Sequence, residues 1–378
     1  MVTEELVDEL FKLSEERHIM KVVFIIGSVS DSHIIKRIEE FVKYGVEVDV
    51  YGYKRDVNFT NKLSCVDPVL IGQVQANRYA TRVFSGWKSV SKIIKKYPKD
   101  TLFYVWGFDI AIVHALRKTK YIYEISDIRY TQFPLCLNYI FKWIDRWMIK
   151  RSVKTLVTSE GFVEFIAGSD AVRSKYILMP NKLSPILRNF ERPENEFEHT
   201  KIRIGYVGFY RYPDTILKMA RIVGERFENI EFHFWGIGPA EMLEQIHSLT
   251  CQYPNIYEHG AFKNPDDLPR VYSTIDVVAC NYDTNGINER IAEPNKLYES
   301  IFFNKPLIVS IGTFLSKQVM RLGCGFVIDS LKEEAIYSFL SSLDKSELRK
   351  IAKTEKNIDT IHLIEDYSKV WEIAYLKK

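Results

Sequence analysis

The chain has 378 residues, too many for one ordinary hydrophobic core and suited to two domains. With 46% hydrophobic and 27% charged residues its composition excludes a disordered chain. The formal net charge of +3 is too small to require nucleic acid as a partner, so only a local basic patch would carry information.

The five cysteines, Cys65, Cys136, Cys251, Cys280 and Cys324, are scattered and odd in number, which argues against both a zinc site and a disulfide framework. The eight histidines contain no His-Glu-x-x-His, so no protein-built metal site is expected. The N-terminus lacks the basic-then-apolar order of a secretory leader, and no apolar run reaches the ~18 residues of a spanning helix. A reducing cytoplasm is the expected location.

Thr3 can cap a first helix whose Leu6, Val7, Leu10, Phe11 and Leu13 repeat at helical spacing. That helix either docks as an extra element or mediates self-association. Lys21 to Ile26 reads as a continuous apolar run ending at Gly27-Ser28, as expected of a strand buried on both faces of a parallel sheet. Ile34, Ile35, Ile38 and Phe41 mark a helix, and Val46 to Gly52 a second strand. The loop Gly27-Ser28-Val29-Ser30 is not a G-x-G-x-x-G fingerprint and supports no dinucleotide site.

A helix with Trp87, Val90, Ile93 and Ile94 precedes a strand at Leu102 to Trp106. A helix over 108–118 leads to a strand at Tyr121 to Ile125, which ends at Ser126-Asp127. An Asp at a strand's carboxyl end can orient or deprotonate an acceptor hydroxyl, or it can cap the next helix. Ile140, Trp143, Ile144, Trp147 and Met148 share a helix with Lys142, Arg146, Lys150 and Arg151. Residues 139–151 either lie against an anionic membrane surface or form a core helix with a solvated basic face. Val153 to Thr158 and Tyr176 to Asn181 follow as strands, and 184–200, rich in Pro, Asn and Glu, reads as a linker.

At Ile202 the pattern restarts: an apolar strand, a turn carrying Gly208 and Arg211, then a helix through Ile216, Met219 and Ile222. Gly208 lets the backbone approach a ligand, and Arg211 offers a planar fork to a diphosphate. Later, Pro294 suits the first turn of a helix in which Leu297 and Ile301 bury while Lys296, Glu299 and Ser300 share another face. A cation near a helix N-terminus suits a phosphate, and a carboxylate can accept from two sugar hydroxyls, so a nucleotide sugar is the ligand indicated. The alternative is a surface helix whose Lys296 and Glu299 form a solvated ion pair.

"PNKLYES" (294–300) followed by "NKPLIVS" (304–310) resembles the P-x-K-x-x-E signature of GT-B glycosyltransferases, most nearly the retaining family 4 (glycosyl transferases group 1) enzymes of surface polysaccharide synthesis. Trp235-Gly236-Ile237-Gly238-Pro239, the stretch from Asn255 to Phe262, and Gly323 to Asp329 resemble later segments of the same family. The stretch ending at Asp127 resembles its Y-D-x-H-D, with Ser126 in place of the His. Where the family has a second Glu, eight residues before Glu299, this chain has Ile291, flanked by Glu289 and Glu293.

The resemblance implies an α/β, GT-B protein with two facing Rossmann-like domains: 1–185 for the acceptor, 186–358 for the nucleotide sugar, and a helix at 359–378 returning to the first. It implies a metal-independent hexosyltransferase, cytoplasmic and peripheral to the membrane, with a nucleoside-diphosphate sugar as donor, no separate cofactor and no nucleic acid. A glycan or lipid-linked molecule would be the acceptor. Asp127, Arg211 and Lys296 would be catalytic. Gly208, Arg211, Gly236, Phe262, Lys296, Leu297 and Glu299 would bind the donor, with the base held near Phe262. If the sugar's configuration is inverted, Asp127 is the natural general base. The alternatives are a nucleotide-sugar 2-epimerase of the same fold or a catalytically inactive sugar-nucleotide-binding protein.

Overall fold

The computed structural model describes residues 21–55, 63–74, 79–168, 173–194 and 197–374. The chain divides into two compact units, one running to Met179 and resumed at Asp366, the other spanning Pro180–Glu365. Each unit is built on its own all-parallel sheet.

In the first, β1 (Val22–Ile26), β2 (Val48–Arg55), β3 (Val69–Val74), β4 (Leu102–Trp106), β5 (Lys120–Ile125), β6 (Lys154–Val157) and β7 (Tyr176–Leu178) lie in the order 3-2-1-4-5-6-7. Every residue of β1 is buried, because crossover helices cover both faces of a parallel sheet and leave no side for polar alternation. Phe24 of β1 stacks on Tyr104 of β4 at 4.7 Å, and Phe41 from the helix Ser32–Lys43 meets Phe24 edge-on at 5.3 Å. These rings lock the first crossover onto the middle of the sheet.

The second sheet holds β8 (Ile202–Phe209), β9 (Ile230–Ile237), β10 (Ile256–Gly260), β11 (Val277–Cys280), β12 (Leu307–Ser310) and β13 (Gly325–Ile328) in the order 10-9-8-11-12-13. One of its cores gathers Ile216, Met219, Phe232 and Phe234; the other gathers Tyr272, Leu297, Ile301 and Phe302. Strand order reverses between β1 and β4 in one sheet and between β8 and β11 in the other. The carboxyl ends of strands at such a reversal are where open α/β sheets leave a crevice.

Three sequence expectations differ from what is observed. Strand β3 was not anticipated; as an edge strand it leaves Val69 and Leu70 more than half exposed, so it lacks the buried apolar run that marks the central strands. The described residues of 184–200 are not a free linker. Leu187 is buried, and the Arg192 guanidinium donates to the carbonyls of Ile301, Phe302, Glu355 and Ile358 and to Asn304 Oδ1, fastening this stretch to the second unit. The unit boundaries move accordingly, from 185/186 to 179/180 and from 358/359 to 365/366. Leu183 N donates to Leu363 O and Glu365 N to Leu183 O, each at 3.0 Å, which holds the residues up to Glu365 in the second unit. Beyond them the helix Ser368–Ala374 joins the first core through Val370 and Ile373, beside Val22, Phe24 and Phe41. The helix expected from Thr3 lies outside the described residues.

Candidate functional site

At the carboxyl end of β8 the chain turns through Gly208, at φ 132°, beside Gly236 of β9, at φ 151°; the two are partners in the β8–β9 register. A Cβ on Gly236 would sit 1.7 Å from Gly208 O, so the strands can close here only with no side chain at Gly236. A Cβ on Gly208 would instead meet Lys296 Cε at 3.4 Å, which places the Lys296 stem directly over this turn. Tyr206 Oη donates to Phe209 O at 2.9 Å and accepts from Arg211 N at 3.3 Å, bracing the loop. The Arg211 guanidinium lies 5.3 Å from the Phe209 ring and reaches the Tyr212 phenol, which burial, partly opposed by that guanidinium, pushes up to about 12.

The helix Lys296–Phe302 buries Leu297 and Ile301 in the second core, with Phe262 packed against the same cluster. Lys296 Nζ donates to Glu299 Oε2 at 2.5 Å, and the pair is not solvated: the two side chains are 12% and 2% exposed. Tyr272 Oη donates to the same oxygen at 2.7 Å, while Asn295 Nδ2 at 2.6 Å and Asn264 Nδ2 at 3.4 Å donate to Oε1. Four donors from two segments converge on one carboxylate, close to its full accepting capacity. The helix has seven residues, too short for its dipole to add much, so positive charge at this site rests on the side chains.

Other polar residues hold neighbouring strand ends in place. Thr215 Oγ1 donates to Asn281 O at 2.6 Å, Asn281 Nδ2 to Ser330 Oγ at 2.7 Å, and Ser310 Oγ to Tyr282 O at 2.6 Å. Lys218 Nζ donates to Leu331 O at 2.7 Å, a structural tie. Glu293 is buried and accepts from the Tyr298 phenol, and Glu289 packs against Gly286.

The first unit has its own pocket at its strand reversal. Asp127 is exposed and lines it, as do Trp106, Phe108, Tyr130, Phe141 and Asp145. Ser126, standing where the family has His, accepts from Trp106 Nε1 at 3.0 Å and so positions an indole of the wall. Glu124 behind it is fully buried: burial alone would raise its carboxyl, but the Arg37 guanidinium at 2.9 Å, His33 at 2.8 Å and the Tyr104 phenol hold it down at about 2. It is a structural anion. Asp145, on the helix Leu135–Arg151, is also buried, and burial pushes it up to about 7 although the Tyr130 and Tyr123 phenols bond its charged form.

Among the described residues, no group of three or more His, Cys, Asp or Glu side chains could hold a metal ion, and no helix is long and apolar enough to cross a membrane.

No family model matches the chain. A curated relative, the succinoglycan biosynthesis protein ExoL of Rhizobium meliloti, is 19% identical over 342 residues, covering 86% of this chain and 85% of its own. The solved structure of WaaG, a glycosyltransferase involved in lipopolysaccharide biosynthesis, superposes with a TM-score of 0.66 at 14% identity, covering 93% of this chain and 99% of its own. The chain has the GT-B fold. Anabaena HepE in complex with UDP and glucose shares it, with a TM-score of 0.65 at 12% identity over 91% of this chain and 97% of its own. So does a Listeria monocytogenes protein described as a UDP-N-acetylglucosamine 2-epimerase, less closely, with a TM-score of 0.57 at 11% identity over 89% of this chain and 91% of its own.

On this GT-B frame the second unit gathers Gly208, Gly236, Lys296, Leu297 and Glu299 around one strand reversal, with Arg211 on the adjoining loop and Phe262 on the shared core. Asp127 stands in the other unit. Sequence inspection missed Asn264, Tyr272 and Asn295. Asn295 was legible, since it lies four residues before Glu299 on one helical face. Asn264 and Tyr272 arrive from another segment, and no spacing rule connects them to residue 299.

Proposed function

We propose that the chain is a glycosyltransferase that moves a hexose from a nucleoside diphosphate to a glycan or lipid-linked acceptor in cell-surface polysaccharide synthesis. The observation that carries this reading is the buried Lys296–Glu299 pair poised over the side-chain-free turn at Gly208, at a strand reversal of a GT-B protein. A turn with no side chain admits a phosphate close to the backbone. Lys296 and Arg211 supply the cations that neutralise charge gathering on the leaving diphosphate, the role a metal ion serves in other folds.

The pair also explains how one carboxylate serves two states. Without donor, Lys296 occupies Glu299 Oε2. When a diphosphate draws the ammonium away, one lone pair on Oε2 is vacated for a ribose hydroxyl, and Tyr272, Asn264 and Asn295 keep the carboxylate in place. Asp127, on the acceptor side, orients or deprotonates the attacking hydroxyl.

The protein works on the cytoplasmic face of a membrane, as a peripheral enzyme. Supporting this, Leu135, Tyr139 and Trp143 stand exposed along one face of the helix Leu135–Arg151, which also carries Lys142 and Lys150. The likeness to the Listeria protein keeps a 2-epimerase as the second reading; an epimer formed from donor alone, without acceptor, would favour it.

Calorimetric titration with UDP, other nucleoside diphosphates and their sugars tests the donor site. Lys296→Ala and Glu299→Ala are each expected to weaken the best-bound nucleotide about 30-fold or more, the loss of a charge-assisted hydrogen bond worth about 2 kcal/mol. Undiminished affinity in folded variants would remove the site.

A further inference from the structure

The carboxyl ends of β8 and β9 carry the candidate donor site; a second cavity, of about 280 Å³, opens near the amino ends of β8 and β12 and lies wholly within the second unit. Lys305, two residues before β12, lines it with only 5% of its surface exposed. Its ammonium has no hydrogen-bond or ion-pair partner among the described residues, and the centroid of the Phe197 ring lies 5.9 Å from Nζ. Two carboxyl groups are near enough to act on Lys305 through their charge, and neither bonds it. Asp276 is occupied by Arg203, which donates to its Oδ2 from the backbone N at 2.9 Å and from Nε at 3.2 Å, and to its Oδ1 from Nη2 at 3.0 Å. Glu355 is fully buried with neither oxygen hydrogen-bonded among the described residues, and burial raises its carboxyl well above the usual range although Arg192 and Lys305 oppose it, so it brings no counter-charge. Burial also pushes Lys305 down, to about 8, which leaves it mostly an ammonium at neutral pH. A buried cation without a counter-ion is costly, and one on a cavity wall marks the place of an anion.

The rest of the lining limits what that anion carries. Arg203 lines the cavity too, and its Nη1 makes no hydrogen bond among the described residues, which leaves N–H groups beyond those that Asp276 uses. Of the other charged groups, Glu194 is paired with Lys356, and Glu198 and His199 are exposed. Phe190, Phe197 and Tyr272 supply aromatic surface. Hydroxyls are few: Ser273 donates to Arg270 O, and the Tyr272 phenol is committed to Glu299, so a sugar would find little to bond. The cavity is many times the ~10–15 Å³ that one water needs by the same measure, room for a ring-sized body behind the charged group. We infer that this cavity binds a small organic acid, its carboxylate on the Lys305 ammonium and a flat, hydroxyl-poor body against Phe190, Phe197 and Tyr272. The site uses none of Gly208, Arg211, Lys296 and Glu299, and stands whether or not the chain transfers a sugar.

Two probes separate the charge from the body: benzoate, a carboxylate on a flat ring, and acetate, the same charge without one. Titrated by calorimetry into the full chain at pH 7, benzoate is expected to bind with a dissociation constant of about 1 mM or below, and acetate about tenfold more weakly. Lys305→Met keeps the stem and removes the charge. It is expected to weaken benzoate about tenfold or more, and to raise the melting temperature by about 2 °C or more, because an uncompensated buried charge is gone. A lysine held only for a structural ion pair would make the same variant melt lower. Should the methionine variant not fold, Lys305→Gln, which keeps a neutral donor, is expected to weaken benzoate about fivefold. Failure of the native chain to bind benzoate, equal binding by a folded Lys305 variant, or acetate bound as tightly as benzoate would overturn the site. So would benzoate displaced by a nucleoside diphosphate, or a Lys305→Met variant that melts below the parent.

Discussion

Gly236 and Gly208 look alike in sequence, each a glycine at the end of an apolar strand, yet their surroundings assign them different costs. A side chain at Gly236 must displace the backbone carbonyl of Gly208, 1.7 Å away, at a φ of 151° that side-chain-bearing residues rarely adopt. A side chain at Gly208 is strained in the same way by a φ of 132°, but it meets only the flexible end of Lys296, at 3.4 Å, and no backbone atom. Gly236→Ala is therefore expected to destabilise the fold by about 3 kcal/mol, lowering the melting temperature measured by circular dichroism. Gly208→Ala should cost less stability and chiefly reduce nucleotide affinity, because it crowds the ammonium that would meet the diphosphate. Equal melting of Gly236→Ala and the parent would contradict the close approach of β8 and β9.

Among the elements, the helix Leu135–Arg151 shows why an apolar stripe does not identify its partner. Met148 and Ile149 near its end are buried, but Leu135, Tyr139 and Trp143, spaced by four, are 71%, 74% and 69% exposed. They share that face with Lys142, Arg146 and Lys150, the pattern of a helix that rests in an interface of acyl chains and anionic headgroups. Replacing Tyr139 and Trp143 together by Ser is expected to reduce sedimentation with phosphatidylglycerol vesicles about tenfold, to leave the melting temperature unchanged, and to have little effect on neutral vesicles. Unaltered co-sedimentation would assign the exposed face another role. The helix Lys296–Phe302 is the converse case: its polar face, expected to be either a site or solvated, is buried under Tyr272, Asn264 and Asn295, which makes its ion pair a built arrangement.

Over the whole molecule, the chain crosses between its units at Met179 and again at Glu365, so the second unit is continuous in sequence and the first is not. Both of the second unit's cores, and Gly208, Arg211, Gly236, Lys296 and Glu299, lie within 180–365. A fragment of those residues is expected to fold alone, to melt cooperatively, and to bind the same nucleoside diphosphate as the full chain within about threefold. A fragment ending before residue 366 would lack Tyr367, Val370 and Ile373 from the first core and should melt well below the intact protein. An isolated second unit that is unfolded, or folded without nucleotide affinity, would mean that the donor site needs residues outside it.

The sequence alone carried the central strands, the restart of the α/β pattern at Ile202, and the candidacy of Lys296 and Glu299. Continuous apolar runs ending in glycine are what a doubly covered parallel sheet requires, and helical spacing is a local property of the chain. Edge strand β3, the fastening of 184–200 by Arg192 and the donors converging on Glu299 were decided only in three dimensions. Each depends on groups far apart in sequence meeting at one point, and burial and hydrogen-bond satisfaction belong to that meeting place rather than to any spacing along the chain.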